Sequence, residues 1–388
     1  LVPDFSSTGQ LFLELENVVA PAEISFYFEL ATTYTEKPFT ENAVEFSYLS
    51  TTGWKTLTVI NDGTNDFTCS GIITLNVPED ITNDHESMPR TNFWIAIGTQ
   101  ESTDGYAKAS FLKTNGITLK RIVNADDFSQ NTPELKADII SSPVNAIAEI
   151  SKTVQPFPSF GGKAAETTQH MNSRVSNRLK TKDRLITAED YFTTIRIQFS
   201  EIYFSKTNYD NSQKKVMTYL VKRVSDATVA HAFEPLVSNC TELEIQDYIQ
   251  TKVSAFTQIG VSNFKLAYVK IIANVTVATD YEITTVRKEI NDGINIFLSP
   301  WITSAQAQIT IDKGINTAQI ASFINSFTAV ITVNDIQIQI GTNDLTTGTI
   351  ESKDEPTHEF TPTNETIIVP SLNNLTEDSS IDYHFPKI

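Results

Sequence analysis

The apolar pattern of this chain changes period once, near the pair Gly161-Gly162, and that change limits what it can fold into more than any other feature. Upstream, strand-length runs dominate. Leu11-Phe12-Leu13-Glu14-Leu15-Glu16 alternates, Ile24-Ser25-Phe26-Tyr27-Phe28-Glu29-Leu30 follows Pro21, and Val44-Glu45-Phe46-Ser47-Tyr48-Leu49 keeps strict period two. Further runs at 54–60, 71–77 and 93–97 are separated by Gly, Asn, Asp and Pro. Successive side chains of a strand point to opposite faces, so this spacing predicts an antiparallel sandwich over residues 1–105. Residues 106–156 read as a connector carrying strands, with one at 117–123 and a short apolar stretch at 144–150. Pro156 and Pro158 stiffen the approach to the glycines.

Downstream, helical and strand periods alternate. Met171, Val175 and Leu179 recur at i, i+4 and i+8, which predicts an amphipathic helix over 166–180. Thr187-Ala188-Glu189-Asp190 has the form of a capping box, so a second helix starts at Ala188. Strands are expected at 216–224 and 264–278. A helix capped by Thr241 carries the stripe Ile245, Ile249, Val253 and Phe256, and another carries Val286, Ile290, Ile294 and Phe297. A third runs from 317 to 327. Ile336, Ile338 and Ile340 alternate with Gln337 and Gln339 in a closing strand. The expectation is an α+β, multidomain fold: the sandwich, the connector, a central helix-and-strand motif at 157–228, and an α+β module at 229–340 with helices on one face of a sheet. An extended C-terminal tail at 341–388 is expected to be mostly irregular, with 365–369 its one strand candidate.

Charge narrows the function. With 29 Lys and Arg against 47 Asp and Glu, the 388-residue chain has a net charge of -18, which disfavours nucleic acid and anionic membrane surfaces as partners. No run approaches the ~18 apolar residues of a membrane span, and the N-terminus lacks the layout of a signal peptide. The chain therefore reads as soluble, and its start at Leu1 suits a segment of something longer. Cys69 and Cys240 are far apart, without metal or redox spacing, and read as two buried free thiols.

Catalytic and ligand motifs fail one by one. The five histidines lack zinc-ligand spacing, and His85-Glu86 has no second histidine three residues on. Gly161-Gly162-Lys163 lacks the upstream glycine of a phosphate loop, and Ala164 replaces its hydroxyl residue. Residues 62–66 are acidic but lack the donor pattern of a calcium loop and read as a hairpin turn. No catalytic, cofactor-binding or metal-binding residue emerges. One local feature stands out, the basic run Arg174, Arg178, Lys180, Lys182 and Arg184 in an acidic chain. It is either a solvated helix face or a dock for an acidic partner surface, with nucleic acid a third reading.

These residues resemble a family. Phe160-Gly161-Gly162, Glu166, Arg174-Val175-Ser176, Arg178-Leu179, Arg184, Thr187 and Asp190-Tyr191 are similar in order to the central motif of baseplate J-like proteins. Those are wedge subunits of contractile phage tails and extracellular contractile injection systems. Phe297-Leu298-Ser299-Pro300-Trp301 resembles a block of the injection-system branch, and Trp54, Asp62-Gly63-Thr64 and Ser70-Gly71-Ile72 resemble that branch's β-rich insertion. The resemblance implies a structural wedge subunit without catalysis or cofactor. Its implied partners are a second baseplate wedge subunit and the sheath and spike or hub proteins of a six-fold particle. It also implies assembly in the bacterial cytoplasm, as a component of a phage tail-like particle that can be extracellular after release.

Interface and hinge candidates follow. Gly161 and Gly162 form a turn or a hinge, Arg174, Arg178 and Arg184 face a partner, and Pro300 fixes the exit angle of Trp301, an anchor inside the fold or between subunits. The alternative is a carbohydrate-binding or adhesive β-sandwich module of a surface or virion protein. It would use Trp54, Trp94 and Tyr48 as stacking surfaces unless these are core aromatics.

Overall fold

The structure is a computed structural model that describes residues 7–34, 44–85, 88–100, 103, 106–122, 134–145, 147–162, 165–229, 231–302, 311, 313–344, 349–352, 357–371 and 381–384. It divides into two compact units, Leu1–Gly116 with Asp183–Ile388, and Ile117–Lys182. The α+β multidomain class expected from the period change is the one observed.

The first unit opens with β1 (Gly9–Leu15), β2 (Ala22–Leu30), β3 (Val44–Ser50), β4 (Gly53–Thr56), β5 (Thr58–Asp62), β6 (Gly71–Val77), β7 (Phe93–Thr99) and β8 (Ala109–Thr114). They form two antiparallel sheets of order β1-β7-β3-β4 and β5-β6-β2-β8. Alternate residues point inward as the period required: Leu13, Phe26, Phe28, Ile73, Leu75 and Ile95 meet in one core. The turn after β5 is a short-range hydrogen-bonded structure. One Asp62 carboxylate oxygen accepts from Thr64 N and Thr64 Oγ1, both at 2.7 Å, and the other from Asp66 N at 3.0 Å.

In the second unit, no described residue before the helix lies in a strand. The strand expected at 117–123 is therefore not found among its described residues, position 123 lying outside them, and the apolar stretch at 144–150 forms no strand in its described residues either. An apolar run becomes a strand only where a neighbour supplies the other half of the ladder, and these have none among the described residues. The helix α1 (Thr168–Thr181) does form, with Thr167 Oγ1 accepting from His170 N at its start.

The first unit resumes with α2 (Ala188–Gln198), whose capping box joins Thr187 and Asp190 as the sequence predicts. Then follow β9 (Ile202–Asp210), β10 (Lys215–Lys222), α3 (Asn239–Gln250), β11 (Ile259–Asn263), β12 (Lys265–Val277), α4 (Ile283–Phe297), β13 (Ile315–Asn316) and α5 (Thr317–Ile324). The last strands are β14 (Val330–Asp344), β15 (Thr349–Ser352), β16 (Glu359–Phe360), β17 (Thr366–Pro370) and β18 (Ile381–His384). A three-stranded sheet has order β11-β10-β9. A larger one has order β15-β14-β12-β17, with β18 also on β12.

These sheets make the body four layers thick. α4 and α5 cover one face of β12 and β14 through Ile290, Ile294, Ile320 and Ile324 against Val269, Ile271 and Ile338. The other face of β12, through Tyr268, meets Tyr219 and Val221 of β10. The far face of β10, through Leu220, packs on Ile195 of α2 and Ile245 and Ile249 of α3. Each sheet has helices on one face, and their remaining faces bury each other.

Three expectations are corrected. α3 is capped by Ser238 rather than Thr241 and stops at Gln250, so Phe256 lies beyond it, 96% exposed. α5 ends at Ile324, three residues before Phe327. Among its described residues the tail is not mostly irregular: β17 pairs parallel with β12, and Ile367, Ile368 and Val369 are buried between the layers.

The cysteines are corrected too. Cys69, in the connection between β5 and β6, is disulfide-bonded to Cys240, the second residue of α3. Beside it Asn239 N donates to Thr33 O at 3.1 Å. A bond across 171 residues of sequence is invisible to motif spacing, because only the tertiary fold brings the two sulfurs together. Two residues on, Oε1 of Glu242 is shut off from solvent without a hydrogen-bond partner. Burial, opposed by the Asn263 backbone N–H, pushes the Glu242 pKa up to about 8.

Two predictions follow from this junction. Closing so long a loop restricts the unfolded chain, so Cys69→Ser with Cys240→Ser lowers unfolding stability by up to about 5 kcal/mol in denaturant titration. Peptide mapping without reductant recovers the linked pair from the native protein. Glu242 keeps its proton in the fold up to about pH 8, whereas its ordinary value is 4.5. The folded state binds the extra proton between those values, so stability falls as pH rises through that window, by about 1.4 kcal/mol per unit. Glu242→Gln removes this slope in melting curves taken from pH 5 to 9.

Candidate docking and hinge site

Six of the seven candidate residues sit at three places, and the chain's local chemistry differs at each. Gly161 adopts φ +73°, and a Cβ there would meet nothing within 4 Å. The left-handed backbone rather than crowding is what asks for glycine. Gly162 is exposed beside it. This turn lies inside the second unit, upstream of α1.

Arg174 is already engaged. Its Nε and Nη2 each donate at 2.8 Å to Glu166, one to each carboxylate oxygen, in a two-pronged ion pair. His170 Nδ1 lies 3.0 Å from Glu166 Oε1. The Arg174 guanidinium, helped by His170, holds the Glu166 carboxyl down to about 2. The charge of Arg174 is thus matched within its own unit, a pairing that i, i+4 reading of the helix misses because Glu166 precedes the cap. What could have shown it is the acid just ahead of a helix whose first turn has none.

Arg178, in the last turn of α1, is exposed and faces no such carboxylate in the described residues. Past it, Lys182 and Asp183 adopt φ 53° and 60°, two successive left-handed residues without the excuse of glycine, each disfavoured by about 1–2 kcal/mol. They end the helix abruptly. Asp183 then pairs with Lys252 at 2.9 Å, and Leu185 enters the core under α2 and α3 while Arg184 stays exposed between them.

Pro300 and Trp301 belong to the interior. Pro300 is buried just past the end of α4. Trp301 is 1% exposed, and its Nε1 donates to Ala232 O at 2.9 Å. It packs with Tyr219, Phe264, Tyr268 and Val369 in the layer between the two sheets. Burial of an indole is worth roughly 4–6 kcal/mol at ~25 cal/mol per Å2. Trp301 is therefore an anchor of the fold, and neither it nor Pro300 offers surface to a partner.

The aromatics of the adhesive alternative fare similarly. Tyr48 is in the sandwich core with its hydroxyl donated to Asp80, and Trp94 is buried with Nε1 donated to Pro89 O. Trp54 alone is half-exposed, its ring 5.6 Å from that of Phe12. Among the described residues no group of His, Cys, Asp and Glu is arranged to hold a metal, and no helix is long and apolar enough to cross a membrane.

The family model for baseplate protein PVC11-like matches residues 2–359, through the sandwich, the second unit and the layered body alike. The chain belongs to the PVC11-like baseplate protein family. It is a structural baseplate protein, as the ordered resemblance around Gly161, Arg178 and Trp301 implied. No curated protein matches the chain. Among solved structures, a chain of the anti-feeding prophage (AFP) baseplate, determined by cryo-EM and 6-fold symmetrised, matches with 14% identity and a TM-score of 0.39. The match covers 94% of this chain and 77% of that one.

The Glu166–Arg174 pair is directly testable in this baseplate protein. The depressed carboxyl favours the paired form above its ordinary value of 4.5, and that preference is lost as pH falls through about 2. Carboxyl NMR finds Glu166 titrating near pH 2, and Arg174→Gln returns it toward the ordinary range.

Proposed function

We propose that this baseplate protein is a wedge subunit of a contractile injection system. In this reading it pairs with a second wedge subunit, six wedges close around the central spike, and the wedge couples baseplate change to sheath contraction. The observation that carries it is the family match across both units at once, since a protein that used only the sandwich for adhesion would have no need of the rest. The exposed arginines Arg178 and Arg184 face the partner, and Gly161 with Gly162 form the turn that lets the second unit adjust. Arg174 acts indirectly, steadying the start of α1 through Glu166.

Charge supports the docking role. In a chain of net charge -18, a local positive stripe attracts an acidic surface and fixes its orientation more than it adds affinity. Arg178→Glu with Arg184→Glu leaves the circular dichroism of the purified chain unchanged and stops wedge assembly, read as particles by electron microscopy. Normal particles from that double variant would remove the docking role. The wedge reading itself is checked by locating the chain in the particle.

A further inference from the structure

The second unit has apolar residues but no core. None of its described residues joins any of the four apolar clusters. Phe160 is 90% and Leu179 75% exposed, and Val144 and Ile122 are fully open to solvent or nearly so. α1 buries no residue at all, although Met171, Val175 and Leu179 form a continuous apolar stripe along it. A lone helix of this length is marginal in water, because its stability ordinarily comes from packing an apolar face. A stripe of this kind marks a surface that something else covers.

Charge says what covers it. The segment 117–182 has nine Lys and Arg against six Asp and Glu, a net +3. Residues 1–116 have five against 16, a net -11, and residues 183–388 have 15 against 25, a net -10. Within α1 the bias is sharper. Glu166 neutralises Arg174, and from 167 to 182 there is no carboxylate to offset Arg178, Lys180 and Lys182. Two α1 helices side by side would bring those charges together, so self-pairing of the helix is disfavoured. An acidic apolar surface is the complement.

Such a surface exists on this chain's own sandwich. On the outer face of the β1-β7-β3-β4 sheet, Phe12 stacks obliquely on Trp54, with Glu14 two residues along β1. Glu45 shares that face, because Phe46 and Tyr48 of β3 point into the core. Both carboxylates are exposed, and Glu14 Oε1 accepts from Asn92.

We propose that the α1 stripe of one copy docks on the Phe12–Trp54 face of a second copy, with Lys180 and Lys182 meeting Glu14 and Glu45. The two patches differ, so the contact is head-to-tail, and repetition closes a ring when the rotation allows. The inference deepens the docking role proposed for α1 and rests on it, naming its partner as another copy of the same chain.

The test mixes 14N- and 15N-labelled full-length chain, in purified form and in assembled particles, and applies a carbodiimide that joins Lys amines directly to carboxylates. Mixed-isotope links from Lys180 or Lys182 to Glu14 or Glu45 are expected. Val175→Asp with Leu179→Asp, at exposed positions, reduces them at least tenfold with circular dichroism unchanged, and Trp54→Ser on the other patch does the same. Links confined to one isotope place the contact within a single chain and overturn the proposal. Links from α1 to a different baseplate protein overturn it too, while leaving the wedge reading intact. Absence of the chain from the baseplate would instead remove the wedge reading, whatever the cross-links show.

Discussion

The body of this protein depends on β12, whose first half, through Ala267, Tyr268 and Val269, is buried on both faces. Thirteen residues long, it presents Val269, Ile271, Ala273 and Val275 to α4 and α5, and Tyr268 to the neighbouring sheet. A strand covered on both sides carries the hydrophobic driving force of two interfaces at once. Three later strands complete its ladder. β14 pairs along most of its length, and β17 and β18 run parallel to successive parts of it. The C-terminal segment is therefore part of the sheet, and the anchor Trp301 is held in the same layer by its bond to Ala232 O.

The sandwich and the second unit are stabilised in contrasting ways. The sandwich has its own core and is tied to α3 by Cys69–Cys240 and by Asn239 N donating to Thr33 O. The disulfide joins two layers that each have their own apolar core. The second unit has no core among its described residues, and α1 ends on the successive left-handed residues Lys182 and Asp183. Its order is left to local devices, the Thr167 cap and the Glu166–Arg174 pair. Exposed ion pairs of this kind contribute little stability, so they specify a shape more than they hold it.

The sequence by itself determined the parts whose period is local. The alternation in β1, β2 and β3 set which side chains enter the sandwich core, and the stripes Val286, Ile290, Ile294 and Ile320, Ile324 set the buried faces of α4 and α5. Thr187 and Asp190 announced the start of α2 for the same reason, since a cap is a contact between residues three apart. The ordered motif around Gly161, Arg178 and Trp301 carried the family, which the match over residues 2–359 shows.

What only the tertiary structure decided are the relations between distant residues. The Cys69–Cys240 bond spans 171 positions, and no spacing rule reaches that far. Whether Trp301 was core or surface turned on Ala232, a residue 69 positions away. The 117–123 run has the composition of a strand, yet among its described residues it has no ladder to join, while the strand candidate at 365–369 in the expected irregular tail forms as β17 and completes the central sheet. Hydrogen bonding in a sheet is supplied by the neighbour, so the same local pattern folds or stays open according to what the rest of the chain places beside it.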